Sequence, residues 1–160
     1  NTPTSSMIYT PPQNISKRDF EKPTVFLAGS IEMGKAEDWQ SEMSEFFYKL
    51  GITVFNPRRT DWDDSWKQDY EEPQFFQQVT WELNALEQSE MILMHLLPDT
   101  QSPISLLELG LFAQTHNLHV VCPQGFWRRG NVEIVCDRYG IPFYETLEDF
   151  KNKFVTVNKK

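Results

Sequence analysis

The sequence is poor in cysteine, histidine and positive charge. Its two cysteines, Cys122 and Cys136, stand in different segments and form no C-x-x-C pair. That argues against a disulfide framework and against a zinc site. Buried free thiols in a reducing compartment are expected instead. The three histidines, His95, His116 and His119, show no ligand spacing, so no metal site is predicted. Lys plus Arg number 15 against 23 Asp plus Glu, a formal charge of -8. A chain so acidic lacks the basic face that nucleic acid or an anionic membrane requires. No apolar run approaches the roughly 18 residues of a membrane span. The N-terminus lacks the basic-then-apolar layout of a signal peptide. A soluble, cytoplasmic protein is the expectation. None of these absences excludes a small ligand, because a pocket sets its own local field.

What is present fits one globular unit. The 160 residues are 39% hydrophobic and 14% aromatic, enough to bury a core without staples. Residues 1–23 carry Pro3, Pro11, Pro12 and Pro23 and read as an extended arm. Residues 24–160 read as a single domain in which strands and helices alternate. Apolar strands are expected at 24–28, 52–55, 91–97, 118–122 and 141–144. Between the first two, Trp39, Met43, Phe46, Phe47 and Leu50 recur at helical spacing, and Gly51 ends that helix. A second helix carries Val79, Leu83 and Leu86 on one face. Ser102-Pro103 reads as a cap and first helical position for a helix to about His116. Short helices follow at 131–139 and from Thr146, the latter with a capping-box look. Strands that are apolar throughout predict a parallel sheet covered on both faces. The fold class is therefore α/β, a flavodoxin/Rossmann-like three-layer sandwich with a five-stranded parallel sheet. Ligands bind such sheets beyond the carboxyl ends of the strands.

Glu108 stands out. Between Thr100 and Trp127 it is the only Asp, Glu, Lys or Arg, and it lies in the apolar helix Ile104–Ala113. A glutamate there is either buried, and then a functional candidate, or directed to solvent. Gly110 in the same helix costs roughly 1 kcal/mol of propensity and suggests close approach by a strand or a neighbouring subunit. Glu82, on the helix before the third strand, is a second candidate. Two carboxylates at one cleft suit glycosyl transfer, one as nucleophile at the anomeric carbon and one handling the proton. The loop Gly29–Gly34 joins strand to helix, and its amides suit a ligand oxygen. The stretch 56–66 combines Asn56, Arg58, Trp62 and Trp66, a mixture suited to stacking and hydrogen-bonding a planar base.

Over residues 24–150 the sequence resembles the nucleoside 2-deoxyribosyltransferase superfamily. Phe26-Leu27-Ala28-Gly29-Ser30-Ile31 resembles its first strand and substrate loop. Ser102–Gly110 resembles its nucleophile segment, with a Glu-Leu-Gly signature at Glu108. Glu82, eight residues before Glu90, stands where members place a catalytic aspartate. The resemblance implies that Glu108 attacks C1′ of a 2′-deoxyribonucleoside and that Glu82 manages the proton on the base. It implies that Ser102 contacts the sugar or its 5′ group. It further implies that Asn131 reaches a neighbouring subunit's site, making the protein a homo-oligomer, dimer or higher. The expected ligands are a small-molecule nucleoside and a free nucleobase, with no cofactor.

Three departures stand out. Phe26 replaces a tyrosine whose hydroxyl holds the nucleophile. Glu82 replaces an aspartate. Ser102 replaces an aspartate of the transferases, although related 5′-monophosphate N-glycosidases have serine there. Those hydrolases carry an arginine in the first loop where this chain has Glu32, and an acid would repel a 5′-phosphate. Transfer of the deoxyribosyl group between bases is the favoured activity. N-glycoside hydrolysis and nucleoside or nucleotide binding without turnover are the alternatives.

Overall fold

A computed structural model of the chain describes residues 7–15, 20, 23–31, 36–59 and 65–158. Its strands are β1 (Ile8–Tyr9), β2 (Thr24–Gly29), β3 (Thr53–Phe55), β4 (Met91–His95), β5 (Asn117–Val121) and β6 (Phe143–Tyr144). Its helices are α1 (Trp39–Lys49), α2 (Pro73–Gln88), α3 (Pro103–Phe112), α4 (Arg129–Tyr139) and α5 (Leu147–Asn158). The strands form one parallel sheet in the order β1-β3-β2-β4-β5-β6. This is the α/β Rossmann-like arrangement that the strand–helix alternation predicts. The sheet has six strands rather than five. The added one, Ile8–Tyr9, lies in the proline-rich stretch read as an arm and pairs with β3 through Ile8–Val54 and Tyr9–Phe55. Two residues among turn formers are too short a run for any periodicity to show.

The chain divides into two compact units. One comprises Asn1–Leu27 with Ile31–Ile92, the other Ala28–Ser30 with Leu93–Lys160. In the first, Asp38 caps α1 by accepting from the Ser41 amide at 3.1 Å. The helix buries Trp39, Met43 and Phe47, one stripe at a spacing of four. Leu50, expected on that stripe, is exposed, because the chain leaves the helix there and Gly51 turns away at φ +80°. Helix α2 corrects a second expectation. Its buried residues are Gln78, Trp81, Ala85 and Leu86, whereas Val79 and Leu83 are exposed. The helix is rotated so that Trp81 enters the core. Its indole nitrogen donates to the Gln13 carbonyl at 2.9 Å, and its ring meets Phe55 edge-on. Phe55 in turn packs against Tyr9 and Phe20.

Strand β4, whose residues Leu93–His95 belong to the second unit, is buried along its whole length and continues into buried Leu96. Helix α3 ends at Phe112, one turn earlier than the apolar pattern implies. Gly140, at φ +67°, closes α4 in the left-handed conformation usual after a helix. Thr146 caps α5 through its hydroxyl, which accepts from the Asp149 amide at 3.0 Å. That is one half of the capping box the sequence suggests.

Candidate active site

The second unit contains the carboxyl ends of β2 and β4. Gly29 ends β2 at φ +129°, and a Cβ there would lie 2.1 Å from the His95 carbonyl oxygen. Only glycine allows this approach. It lets the Ser30 amide donate to the His95 carbonyl at 2.9 Å, which fixes where the Ser30 side chain stands.

Three hydroxyls meet at that point. Ser30 Oγ lies 2.7 Å from Thr100 Oγ1 and 2.6 Å from Ser102 Oγ, and Thr100 Oγ1 lies 2.8 Å from Ser102 Oγ. All three residues are buried. Leu97 ties the cluster to the backbone, for its amide donates to Ser30 Oγ and its carbonyl accepts from Thr100 Oγ1, both at 2.9 Å. Ser102 occupies the N-cap position of α3, as expected, with Pro103 beginning the helix. It does not cap in the usual way. Its backbone is left-handed at φ 48°, ψ 52°, and its side chain makes no cap hydrogen bond. A non-glycine residue there costs roughly 1–2 kcal/mol, and such outliers cluster at ligand-binding sites.

Two turns along α3, Glu108 is buried, with 7% of its surface exposed. It shares the inward side of the helix with Ser105, Leu109 and Phe112. Of its two possible orientations, the buried one is therefore realised. The outward side bears Ile104, Leu107 and Leu111, each more than half exposed. Gly110 also lies there, and a Cβ on it would meet nothing within 4 Å. Among the described residues, no strand explains that glycine. Asn131 is exposed in the first turn of α4.

The first unit holds the other candidates. Gln78 donates its side-chain amide to Glu82 Oε2 at 2.6 Å and to the Pro57 carbonyl at 3.0 Å. Glu82, half-buried on α2, is thereby tied to the loop that follows β3. Arg59, buried in the same loop, donates to Gln78 Oε1 at 3.4 Å and lies over the Trp66 ring. Asn56 is buried and accepts from the Arg58 amide at 3.0 Å. The Arg58 guanidinium turns to the start of α1, donating to the Glu37 carbonyl and to Gln40 Oε1. Phe26 lies wholly in the core, in register with Phe55. Trp62 and Glu32 lie outside the described residues. Among those described, no three His, Cys, Asp or Glu side chains are grouped as a metal ion would need.

The structure thus brings Gly29, Ser30 and Ser102 together at the head of the Glu108 helix. Separately, it links Asn56, Arg58 and Glu82 through the loop 56–59 and Gln78. Sequence reasoning singled out neither Thr100 nor Gln78, and it took in Arg59 only as part of the stretch 56–66. Gln78 carried a signal, standing four residues before Glu82 on a helix. Thr100 carried none, because its partner Ser30 is 70 positions away.

The family model described as "Nucleoside 2-deoxyribosyltransferase like" matches residues 22–126. The chain belongs to this family. The match includes both hydroxyl-bearing loops and the carboxylates Glu82 and Glu108; Asn131 lies beyond it. No curated protein matches the chain. In this deoxyribosyltransferase-like protein, no helix among the described residues is long and apolar enough to cross a membrane.

Proposed function

We propose that the protein transfers a 2-deoxyribosyl group between nucleobases, with Glu108 as nucleophile. The observation that carries this reading is the buried carboxylate of Glu108, in a segment with no other charge, on the helix headed by the Ser30–Thr100–Ser102 hydroxyls. Family membership supports the same chemistry. A Glu108 oxygen forms a bond to C1′ as the N-glycosidic bond breaks. The base leaves with the bonding electron pair and takes up a proton managed by Glu82. A second base then attacks C1′ from the opposite face and displaces the carboxylate. Two inversions retain the β configuration.

In this reading Ser102, Ser30 and the Gly29 backbone meet the sugar end of the substrate. Asn56 and Arg58 are the residues this reading assigns to the base. The substrate in this reading is a free nucleoside, since the sequence carries Glu32 where the 5′-monophosphate hydrolases it resembles carry an arginine. The active form is a homo-oligomer to which Asn131 contributes from a neighbouring subunit. The outward side of α3 supports this. It is apolar and uncharged, with an open glycine. In a chain of net charge -8, such a face lets a second copy approach without like-charge repulsion.

The test is incubation with a deoxynucleoside and a different free base. A new deoxynucleoside is expected. Free base and sugar without exchange would replace transfer by hydrolysis. A 2-deoxy-2-fluoro nucleoside should add one glycosyl mass to the wild type and none to Glu108→Ala.

A further inference from the structure

Asn56 is the first residue beyond β3, at the carboxyl end of a parallel strand, where such sheets bind ligands. It is buried, with 8% of its surface exposed. Its backbone amide donates to the Tyr9 carbonyl at 2.9 Å, and its Oδ1 accepts from the Arg58 amide at 3.0 Å. The second bond closes a turn of the kind that asparagine and aspartate make with the residue two places on. It also fixes which way the side-chain amide faces. A backbone N–H only donates, so the oxygen stands against Arg58 and Nδ2 on the other side.

Nothing among the described residues accepts from Asn56 Nδ2. Two amide hydrogens are thus left over on a residue more than nine-tenths buried. A carbonyl oxygen with an unused lone pair is tolerated more readily than a buried N–H without an acceptor. The unmet need at Asn56 is therefore for an acceptor. Arg58 does not compete for this role, because its guanidinium is committed to the Ala36 and Glu37 carbonyls and to Gln40 Oε1. The next residue, Pro57, shares the Gln78 side-chain nitrogen with Glu82. The turn at Asn56 is thereby joined to the carboxylate assigned to the proton of the base.

We infer that Asn56 determines base specificity, its Nδ2 donating to an oxo group of the nucleobase. The site then takes hypoxanthine and uracil ahead of adenine and cytosine, which carry an amino group where the first two carry a carbonyl oxygen. An amino base sets donor against donor and leaves Nδ2 without a partner. The inference rests on the assignment of Asn56 to the base in the transferase reading, but it does not need the transfer step.

The experiment titrates the full chain with each of the four free bases in a calorimeter, which requires no turnover, and follows base exchange in parallel. Within whichever pair it binds, wild type should hold hypoxanthine over adenine, or uracil over cytosine, by about tenfold or more, on the scale of one hydrogen bond made or left unmade. Asn56→Asp keeps an oxygen for the Arg58 amide and replaces the donors by an acceptor, so it should reverse the order. Asn56→Ser keeps a hydroxyl oxygen for the turn and should erase the preference without reversing it. A wild type that binds none of the four, or binds them without preference, overturns the inference. So does an Asn56→Asp protein that keeps the wild-type order or, should that variant not fold, an Asn56→Ser protein that keeps it. Selective binding without base exchange removes the transferase reading and leaves Asn56 as the selector. Base exchange without selection does the opposite.

Discussion

The Gln78 side-chain amide reaches Glu82 at 2.6 Å from one turn earlier on α2, and the same nitrogen donates to the Pro57 carbonyl at 3.0 Å. One side chain therefore couples a helix carboxylate to the loop following β3. If Glu82 moves a proton to or from the base, Glu82→Ala should slow turnover by more than about tenfold. Gln78→Leu should slow it by several-fold to about tenfold, through loss of a hydrogen bond to a charged group. Steady-state exchange rates check both. A Gln78→Leu enzyme at full rate would show that this bond does not orient the carboxylate.

Glu108→Gln should lower exchange by roughly three orders of magnitude or more, the scale of a lost nucleophile. The substitution is nearly isosteric, so circular dichroism and the melting temperature should stay close to wild type. A well-folded variant with an undiminished rate would remove Glu108 from the chemistry.

Gly29→Ala should destabilise the fold by about 3 kcal/mol or more, within the range of severe single substitutions. The added Cβ would lie 2.1 Å from the His95 carbonyl oxygen, and φ +129° is foreign to alanine. Backbone, not a yielding side chain, is in the way. Urea titration of the two proteins measures the difference, and equal midpoints would refute the clash.

Stability should fall at both ends of the pH range. Burial lowers the pKa of His119, whose Nδ1 lies 2.9 Å from the Tyr144 hydroxyl. The unfolded chain then binds the proton more readily, so this contribution is present above about pH 6.5 and is lost as the pH falls below it. Burial pushes the thiols of Cys122 and Cys136 up, to about 11 and about 12. Here the unfolded chain loses its protons first, so stability declines from about pH 9 upward through those values. Thermal melts from pH 5 to 11 should peak between these limits. Native protein at pH 8 should react with iodoacetamide far more slowly than denatured protein, because the thiolate is the nucleophile.

Leu107→Glu should weaken self-association, since it places a charge on the uncharged outward side of α3. Sedimentation equilibrium should show a shift toward monomer while the circular dichroism spectrum is retained. A wild type that is already monomeric would remove the neighbouring subunit from the proposal.

Much of the fold was legible in the sequence because burial leaves a periodic trace. All-apolar runs such as Met91–Leu93 marked the parallel strands, and Trp39, Met43 and Phe47 marked the buried stripe of α1. The trace failed where one large side chain outweighed the pattern. Trp81 rotates α2, so Val79 and Leu83 face outward although they repeat at helical spacing. It also failed at β1, whose two residues become a strand only because the edge of β3 is there to pair with.

The site divides along the same line. Sequence alone determined that Glu108 would be unusual, because a lone acid in an apolar helix must be buried at a cost or turned away. It also determined that a glycine would end β2. Only the tertiary structure decided that Glu108 is buried, that Gly110 faces away from every described strand, and that Thr100 joins Ser30 and Ser102 in one cluster. Periodicity records which face of an element is apolar. It does not record hydrogen-bond partners 70 residues apart, which meet only when the sheet places the ends of β2 and β4 side by side.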